Sequence, residues 1–476
     1  MQAYRVASLT VVLSLLLVAC AAVPRDERAR QPLQAEQLGL GNDKTAVASN
    51  DWWREYGDEQ LDALMQRALA DNPTLSEALA RLRIAKQLDL VTQSRLSPTL
   101  DANANVTRER FTKQGLVPPT FAGHVDTAGT LGLNLSWDLD FWGRQADLLQ
   151  QSRANTTAAS LDVESARLAI SGAVLRAYIE LDRQYELADI ATRTTRQRDE
   201  ILGITQRRVT AGLDTNVELH QAAGAVPDAD VQLRRAQLDL QTAVHRLAAL
   251  SGQGSQAYAV MRRPSLDLRA ALTLPDALPA DLLSRRPDVL AARARIDATT
   301  AGQAAAKAAF YPDVNLAAFA GTSAVGFGNL FEAASGTYGV GPAIHLPIFN
   351  AGRLKAEYRA AGAEIDASVS SYDATVLNAV RDVSDQISAI DSLRGQIDRQ
   401  SQALDDAERA YALARERYDA GLSGYLTVLK AETQQLNERR QRIDLMSELA
   451  VARISLQLAV GGSFQPPTSS DAMVVE

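Results

Sequence analysis

The stretch TLGLNLSWDLD, Thr130 to Asp140, decides the architecture. Leu131, Leu133, Leu135, Trp137 and Leu139 alternate with Gly132, Asn134, Ser136, Asp138 and Asp140. A period of two, with apolar and polar residues on opposite faces, predicts a β-strand. Leu100 to Thr107 alternates more weakly. Asp313 to Gly321 puts Val314, Leu316, Ala318 and Ala320 on one face. Thr337 to Ile348 does the same with Tyr338, Val340, Ile344, Leu346 and Ile348. These strands form two pairs, joined by the loops KQGLVPPTFAGH and TSAVGFGNLFEAASG. The run GTSAVGFG, Gly321 to Gly328, reads as flexible surface within the second loop. Strands of about 9–11 residues suit a membrane β-barrel. Phe111, Trp137, Trp142, Tyr311 and Phe349 near the strand ends suit its interfaces. Four strands cannot close a barrel, which takes about eight. The chain therefore needs partner chains, or a soluble core that the sequence does not obviously supply.

Outward from the strands, the pattern turns helical. Arg144 to Arg208 and Arg353 to Tyr418 contain no Pro and only two Gly each. At 1.5 Å per residue each predicts a helix of about 100 Å. Val376, Val383, Ile390, Ile397, Leu404, Tyr411 and Tyr418 form an apolar column with a strict spacing of seven, the mark of a left-handed coiled coil. The matching column of the first long helix, Val174 to Val209, is looser. Shorter helices are expected over Pro73 to Leu96 and Pro287 to Phe310, opened and closed by prolines. Each long helix ends in A-G-L, at Ala211-Gly212-Leu213 and Ala420-Gly421-Leu422, followed by a return helix. Gly at such a turn suits a left-handed backbone. Pro227, deep in the first return helix, should kink or break it.

The two A-G-L turns are 209 positions apart, and so are DFWGR and FNAGR. Upstream the offset is 214, between Pro73 and Pro287 and between Pro98 and Pro312. The chain thus reads as an internal two-fold repeat with differences confined to loops. The expected division is 61–252 for the first copy and 278–461 for the second. Within them the strands fall at about 99–140 and 313–348, and the helical hairpins at about 143–250 and 352–460. A linker, 253–277, separates the copies, with segment 20–60 before them and a tail, 462–476, after.

The start has its own signature. Val6 to Val18 is an apolar run too short for a comfortable spanning helix, and L-V-A-C ends at Cys20, the only cysteine of the chain. This resembles the lipobox of bacterial lipoproteins, with residues 1–19 as signal peptide and Cys20 as the lipid-bearing residue. Ala21 after it favours the outer membrane.

Chemistry is hard to find. The histidines His124, His220, His245 and His345 are scattered, and no nucleophile elbow, phosphate loop or dinucleotide fingerprint occurs. Neither a cofactor nor a metal is expected, nor is the chain expected to be an enzyme. The abundant carboxylates read as solvated helix faces. A net charge of −8 without a basic run argues against nucleic acid.

The lipobox, SRRPDV, FYPDVNL, LSWDLDFWGR and the two A-G-L hairpins together resemble the TolC-like outer-membrane factors of tripartite efflux pumps, in their OprM- and NodT-like lipoprotein branch. The resemblance implies a mixed α and β membrane protein. Three chains would give a twelve-stranded outer-membrane barrel and a coiled-coil tunnel through the periplasm. It implies a passive exit duct for drugs or small organic compounds, working with a periplasmic adaptor and an inner-membrane transporter. The adaptor-docking tip would comprise Arg208, Ala211, Gly212, Leu213, Arg417, Ala420, Gly421 and Leu422. Family members often carry two Asp beside the aperture; here Thr427 and Lys430 occupy those positions, with Glu218 and Gln221 in the first copy. Lys430 would then favour anionic cargo such as organic acids. The rival is a periplasmic adaptor lipoprotein, which would have one hairpin and no duplicated strand pairs.

Overall fold

The computed structural model describes residues 30–38, 51–114, 119–266, 285–462 and 464. Cys20, the signal segment, most of 20–60, the later part of the 253–277 linker and nearly all of the tail lie outside these residues. In order, the main elements are α1 (Glu59–Asp71), α2 (Pro73–Ser94), β1 (Thr99–Arg110), β2 (Val125–Asp138), α3 (Arg144–Thr210), α4 (Asn216–Leu250), α5 (Pro287–Ala308), β3 (Asp313–Val325), β4 (Gly336–His345), α6 (Arg353–Asp419) and α7 (Tyr425–Ala459). The fold is dominated by helix; α3 and α6 have 67 residues each, α4 and α7 have 35 each. Two compact units can be distinguished.

The first unit holds Arg81–Ala159 and Ala291–Tyr372 and contains the sheet. Its order is β1-β2-β3-β4, antiparallel throughout. Residues directly opposite each other share a face, so the register sorts the side chains. One face carries Leu100, Ala102, Ala104 and Val106 of β1 against Leu135, Leu133, Leu131 and Gly129 of β2. The same face continues through Ala318 and Ala320 of β3 to Val340 and Tyr338 of β4. The other carries Asp101, Asn103, Asn134, Ser136 and Asn315, together with Ala317 and Phe319. There Asn134 donates to Asn103 at 2.7 Å, and Asn315 donates to the Ser136 hydroxyl at 2.9 Å. Among the described residues Leu330 covers the apolar face at Gly129, and the rest of it is open: Leu133, Tyr338, Val340 and Ile344 are all exposed. Among the described residues, β1 and β4 each leave one edge unpaired.

The loop expectation for the second strand pair needs correcting. Thr322 to Val325 continue β3, because they pair with Ala128 to Leu131 of a β2 that begins at Val125. Gly321 is not flexible surface either. A Cβ there would lie 2.2 Å from the Leu131 carbonyl oxygen, so the residue is glycine because two strands meet at it. At the base of the sheet, Asp140 accepts from the N–H groups of Gln145 and Ala146 and caps α3. Trp142 stacks on Tyr311, ring centres 4.9 Å apart, and donates to the Pro312 carbonyl.

The second unit is built on Leu33–Ala80, Ser160–Leu290 and the chain from Asp373 on. The heptad column of α6 is its spine: Val376, Val383, Ile390, Leu404, Tyr411 and Tyr418 are buried and Ile397 is half-buried. In α3, Val174 and Leu181 are buried, while Ala188, Thr195, Leu202 and Val209 are half-buried, as their looser pattern predicts. Gly172 lets α3 approach Leu458 of α7. Pro227 does not break α4, which runs from Asn216 to Leu250 without interruption. Proline deprives one carbonyl, four residues back, of its donor. Ala223, Gly224 and Pro227 are all exposed, so water can serve that carbonyl.

Candidate functional site

The two A-G-L turns end α3 and α6 by the same device. Gly212 has φ 73° and Gly421 has φ 75°, both left-handed. Leu213 N–H donates to the Arg208 carbonyl and Gly212 N–H to that of Val209; Leu422 and Gly421 repeat this with Arg417 and Tyr418. This is the Schellman pattern, which satisfies the last carbonyls of a helix and needs glycine at its left-handed position. The apolar residue after the glycine is left pointing outward: Leu213 is 66% exposed and Leu422 is 70% exposed. Val217 and Leu426, one turn into the return helices, are also exposed, so each tip shows an apolar pair at i, i+4 spacing.

Beneath this symmetry the tips differ. Arg208 does not reach outward. Its guanidinium makes a bidentate pair with Asp214, at 2.8 and 3.2 Å, and donates to the Tyr418 carbonyl at 2.8 Å. It also lies over the Tyr418 ring. The Tyr418 hydroxyl donates to Asp214 at 2.9 Å and lies 3.0 Å from the Thr205 hydroxyl. The side chains of Arg208 and Asp214 are only 12% and 7% exposed. Arg208 therefore joins the two hairpins. Its neighbour guanidinium, with help from Tyr418, holds the Asp214 carboxyl below its ordinary pKa against the opposing effect of burial. Arg417 is exposed and makes no ion pair among the described residues. Ala211 and Ala420 are exposed beside the glycines.

The residues expected at the aperture are dispersed in role. Glu218 is half-buried and accepts from the Thr215 N–H at 2.9 Å while Thr215 caps α4, a complete capping box. That motif stands in the sequence as Thr215-Asn216-Val217-Glu218 and is the signal that identifies Glu218 as a cap. Glu218 titrates below the ordinary Glu value, chiefly through its bond with Thr215. The second tip has Gly424 at the capping position, with no side-chain cap. Gln221, Thr427 and Lys430 are exposed, and Lys430 has no ion pair among the described residues.

One feature of the helical hairpins is invisible to sequence reading. Glu432 of α7, whose place on a long helix predicts a solvated carboxylate, is fully buried and pairs with Arg198 of α3 at 2.8 Å. Tyr425 and Tyr418 pack nearby with Tyr411 and Ile201. Burial pushes the Glu432 carboxyl above its ordinary pKa, and Arg198 only partly offsets this.

The described residues contain no metal-type cluster of His, Cys, Asp and Glu, and none of their helices is long and apolar enough to cross a membrane.

A family model described as outer membrane efflux protein matches residues 64–253 and 278–462. The chain is 35% identical over 363 residues to the fusaric acid resistance protein FusA of Burkholderia cepacia, covering 74% of this chain and 68% of that one. It is 31% identical over 428 residues to the putative multidrug resistance outer membrane protein MdtQ of Escherichia coli, covering 87% and 88%. Among solved structures it matches the outer membrane protein VceC of Vibrio cholerae with a TM-score of 0.82 at 33% identity, over 88% of this chain and 100% of that chain. The chain belongs to the outer membrane efflux protein family. It is an efflux channel of the outer membrane, in a family of ducts rather than enzymes.

Proposed function

We propose that three copies of this chain form one passive exit duct, closed by pairing β1 of each copy with β4 of the next. The observation that carries this reading is the sheet itself. It has four strands, two edges unpaired among the described residues, one apolar face that is largely exposed, and one face rich in asparagine, serine and aspartate on which Phe319 also stands. Open edges beside lipid would leave backbone groups without partners, and closure removes them. Twelve strands with the apolar face outward leave a polar lumen. The helices argue for the same neighbours. Val217, Val231 and Leu238 of α4 lie in one exposed column with spacings of multiples of seven, which a facing helix would cover.

The two sequence copies supply two strands and one helical hairpin each. Cys20 carries the lipid, and the chain has no nucleic-acid partner. The tip residues Ala211, Gly212, Leu213, Arg417, Ala420, Gly421 and Leu422 dock end to end with a periplasmic adaptor, which connects the duct to an inner-membrane transporter. Arg208 contributes by fixing the geometry of the tips. The cargo is small organic compounds. An exposed Lys430 near the aperture favours anions among them, in keeping with a relative named for fusaric acid resistance.

The test is membrane fractionation followed by native mass spectrometry of the detergent-purified chain. A trimer recovered from the outer membrane is expected. A chain that remains monomeric in detergent overturns the reading.

A further inference from the structure

The apolar face of β1 ends in charge. The column Leu100, Ala102, Ala104, Val106 continues, on the same face, with Arg108 and Arg110. Their partners across the ladder are Thr127 and Val125, on the apolar side of β2. The acids of this region, Glu109 and Asp126, oppose each other on the other face. Arg108 and Arg110 are exposed, and neither side chain forms an ion pair or hydrogen bond among the described residues. They stand at the end of the sheet away from the junctions with α2 and α3, since α2 leads into Thr99 and Asp138 leads into α3. At this end the β3–β4 connection lies against the apolar face: Leu330 covers Gly129, and a Cβ on that glycine would sit 3.2 Å from it. The same connection exposes Phe327 and Phe331, edge to face with ring centres 6.3 Å apart.

We propose that Arg108 and Arg110 bind the phosphates of a phosphorylated glycolipid in the outer leaflet, with the neighbouring apolar column against its acyl chains. The proposal rests on the barrel reading above, which turns this face toward lipid and this end toward the cell exterior. The physical reason is charge complementarity. Two guanidiniums on a face that otherwise meets hydrocarbon need an anionic partner at the depth where hydrocarbon ends, and phosphate suits their forked donors. The opposite end of the sheet contrasts with this one: it presents Trp137, Phe141 and Trp142, all exposed, on the side of the helices.

The experiment uses the full chain, purified in detergent and stripped of lipid, as the parent and as the double variants Arg108→Gln/Arg110→Gln and Arg108→Lys/Arg110→Lys. Each is titrated with purified lipopolysaccharide, with the same glycolipid after removal of its phosphates, and with inorganic phosphate. The parent is expected to bind the phosphorylated glycolipid at least about tenfold more tightly than the dephosphorylated one. The Gln variant should lose that preference, and the Lys variant should keep part of it. Equal preference in parent and Gln variant overturns the proposal, as does a parent that does not distinguish the two lipids. If inorganic phosphate competes fully with the lipid, the site is one for free anion and the lipid assignment is overturned. Outer-membrane fractionation and trimer content are read on all three forms. Loss of preference in an intact trimer supports the arginine assignment; a parent that forms no trimer overturns the barrel reading and this one with it.

Discussion

The guanidinium of Arg208 lies 4.5 Å from the centre of the Tyr418 ring and donates to the Tyr418 carbonyl, 210 residues away in sequence. The last turn of one hairpin thus holds the last turn of the other. Arg208→Ala should leave Asp214 buried without its main partner and destabilise the tips by about 1–3 kcal/mol. Hydrogen exchange at the amides of Gly212, Leu213, Gly421 and Leu422 is the measurement, and all four should exchange faster. Exchange that rises only at the first tip would show that Arg208 does not couple the two.

The same staple has a defined pH response. Asp214 is held below the ordinary carboxylate pKa, so its folded value is the depressed one. A depressed folded value contributes stability that is present above the unfolded value, about 3.9, and lost as pH falls through the folded one. The tips should therefore keep their protection from neutral pH down to about 4 and lose it at more acid pH. Arg208→Ala should flatten this dependence. A tip that loosens between pH 7 and 5 in the parent would contradict the assignment.

The sheet and the coiled coil could be read from sequence because each has a strict period imposed by two unlike surroundings. Leu131 to Trp137 alternate because one face is apolar and the other is polar, and Val376 to Tyr418 recur by sevens because one stripe is buried. Thr322 to Val325 escaped because their glycine-rich flanks look like loop; only the pairing with β2 makes them strand. The tip turns were legible through their glycines. The work of Arg208 was not, since Tyr418 lies 210 residues further on and nothing local links the two. The capping role of Glu218 was legible in the threonine three positions before it.

The buried pair of Arg198 and Glu432 predicts an asymmetry between single and double replacement. Arg198→Ala strands a fully buried carboxylate and should destabilise the hairpins by about 3–5 kcal/mol. Arg198→Met with Glu432→Leu removes both charges together and should be neutral or stabilising, by up to about 4 kcal/mol. Because burial raises the Glu432 pKa, its stabilising proton is present at acid pH and lost as pH rises through the folded value. The Arg198→Ala chain should accordingly be rescued in part by acid. Thermal unfolding of the purified protein at two pH values checks both statements, and an Arg198→Ala chain as stable as the parent would contradict them.

Two strand glycines give a paired test of the sheet. Gly321 leaves no room for a Cβ beside the Leu131 carbonyl, whereas the corresponding position at Gly341 meets nothing within 4 Å. Gly321→Ala must push β2 and β3 apart and should destabilise the sheet by about 1–3 kcal/mol. Gly341→Ala should be tolerated and even slightly stabilising, because alanine loses less backbone freedom on folding. Thermal unfolding of the purified protein separates the two. Equal behaviour of both variants would mean that the strands are not paired at Gly321 as described.

If the chain forms the proposed duct, Lys430 is the residue through which its charge would act on cargo. It is exposed and without an ion pair among the described residues, next to a tip whose first copy carries Glu218 in a cap rather than free. In a trimer three such ammonium groups would surround the aperture and raise the local concentration of anions. Lys430→Asp should shift the permeability ratio in planar-bilayer recordings toward cations by about tenfold at low salt, and much less at 1 M salt, where charges are screened beyond about 3 Å. Thr427→Ala, on the same helix face, carries no charge and should leave the ratio unchanged. A parent duct that is strongly cation-selective, with the same ratio in Lys430→Asp, would remove Lys430 from the conduction path and with it the argument for acidic cargo.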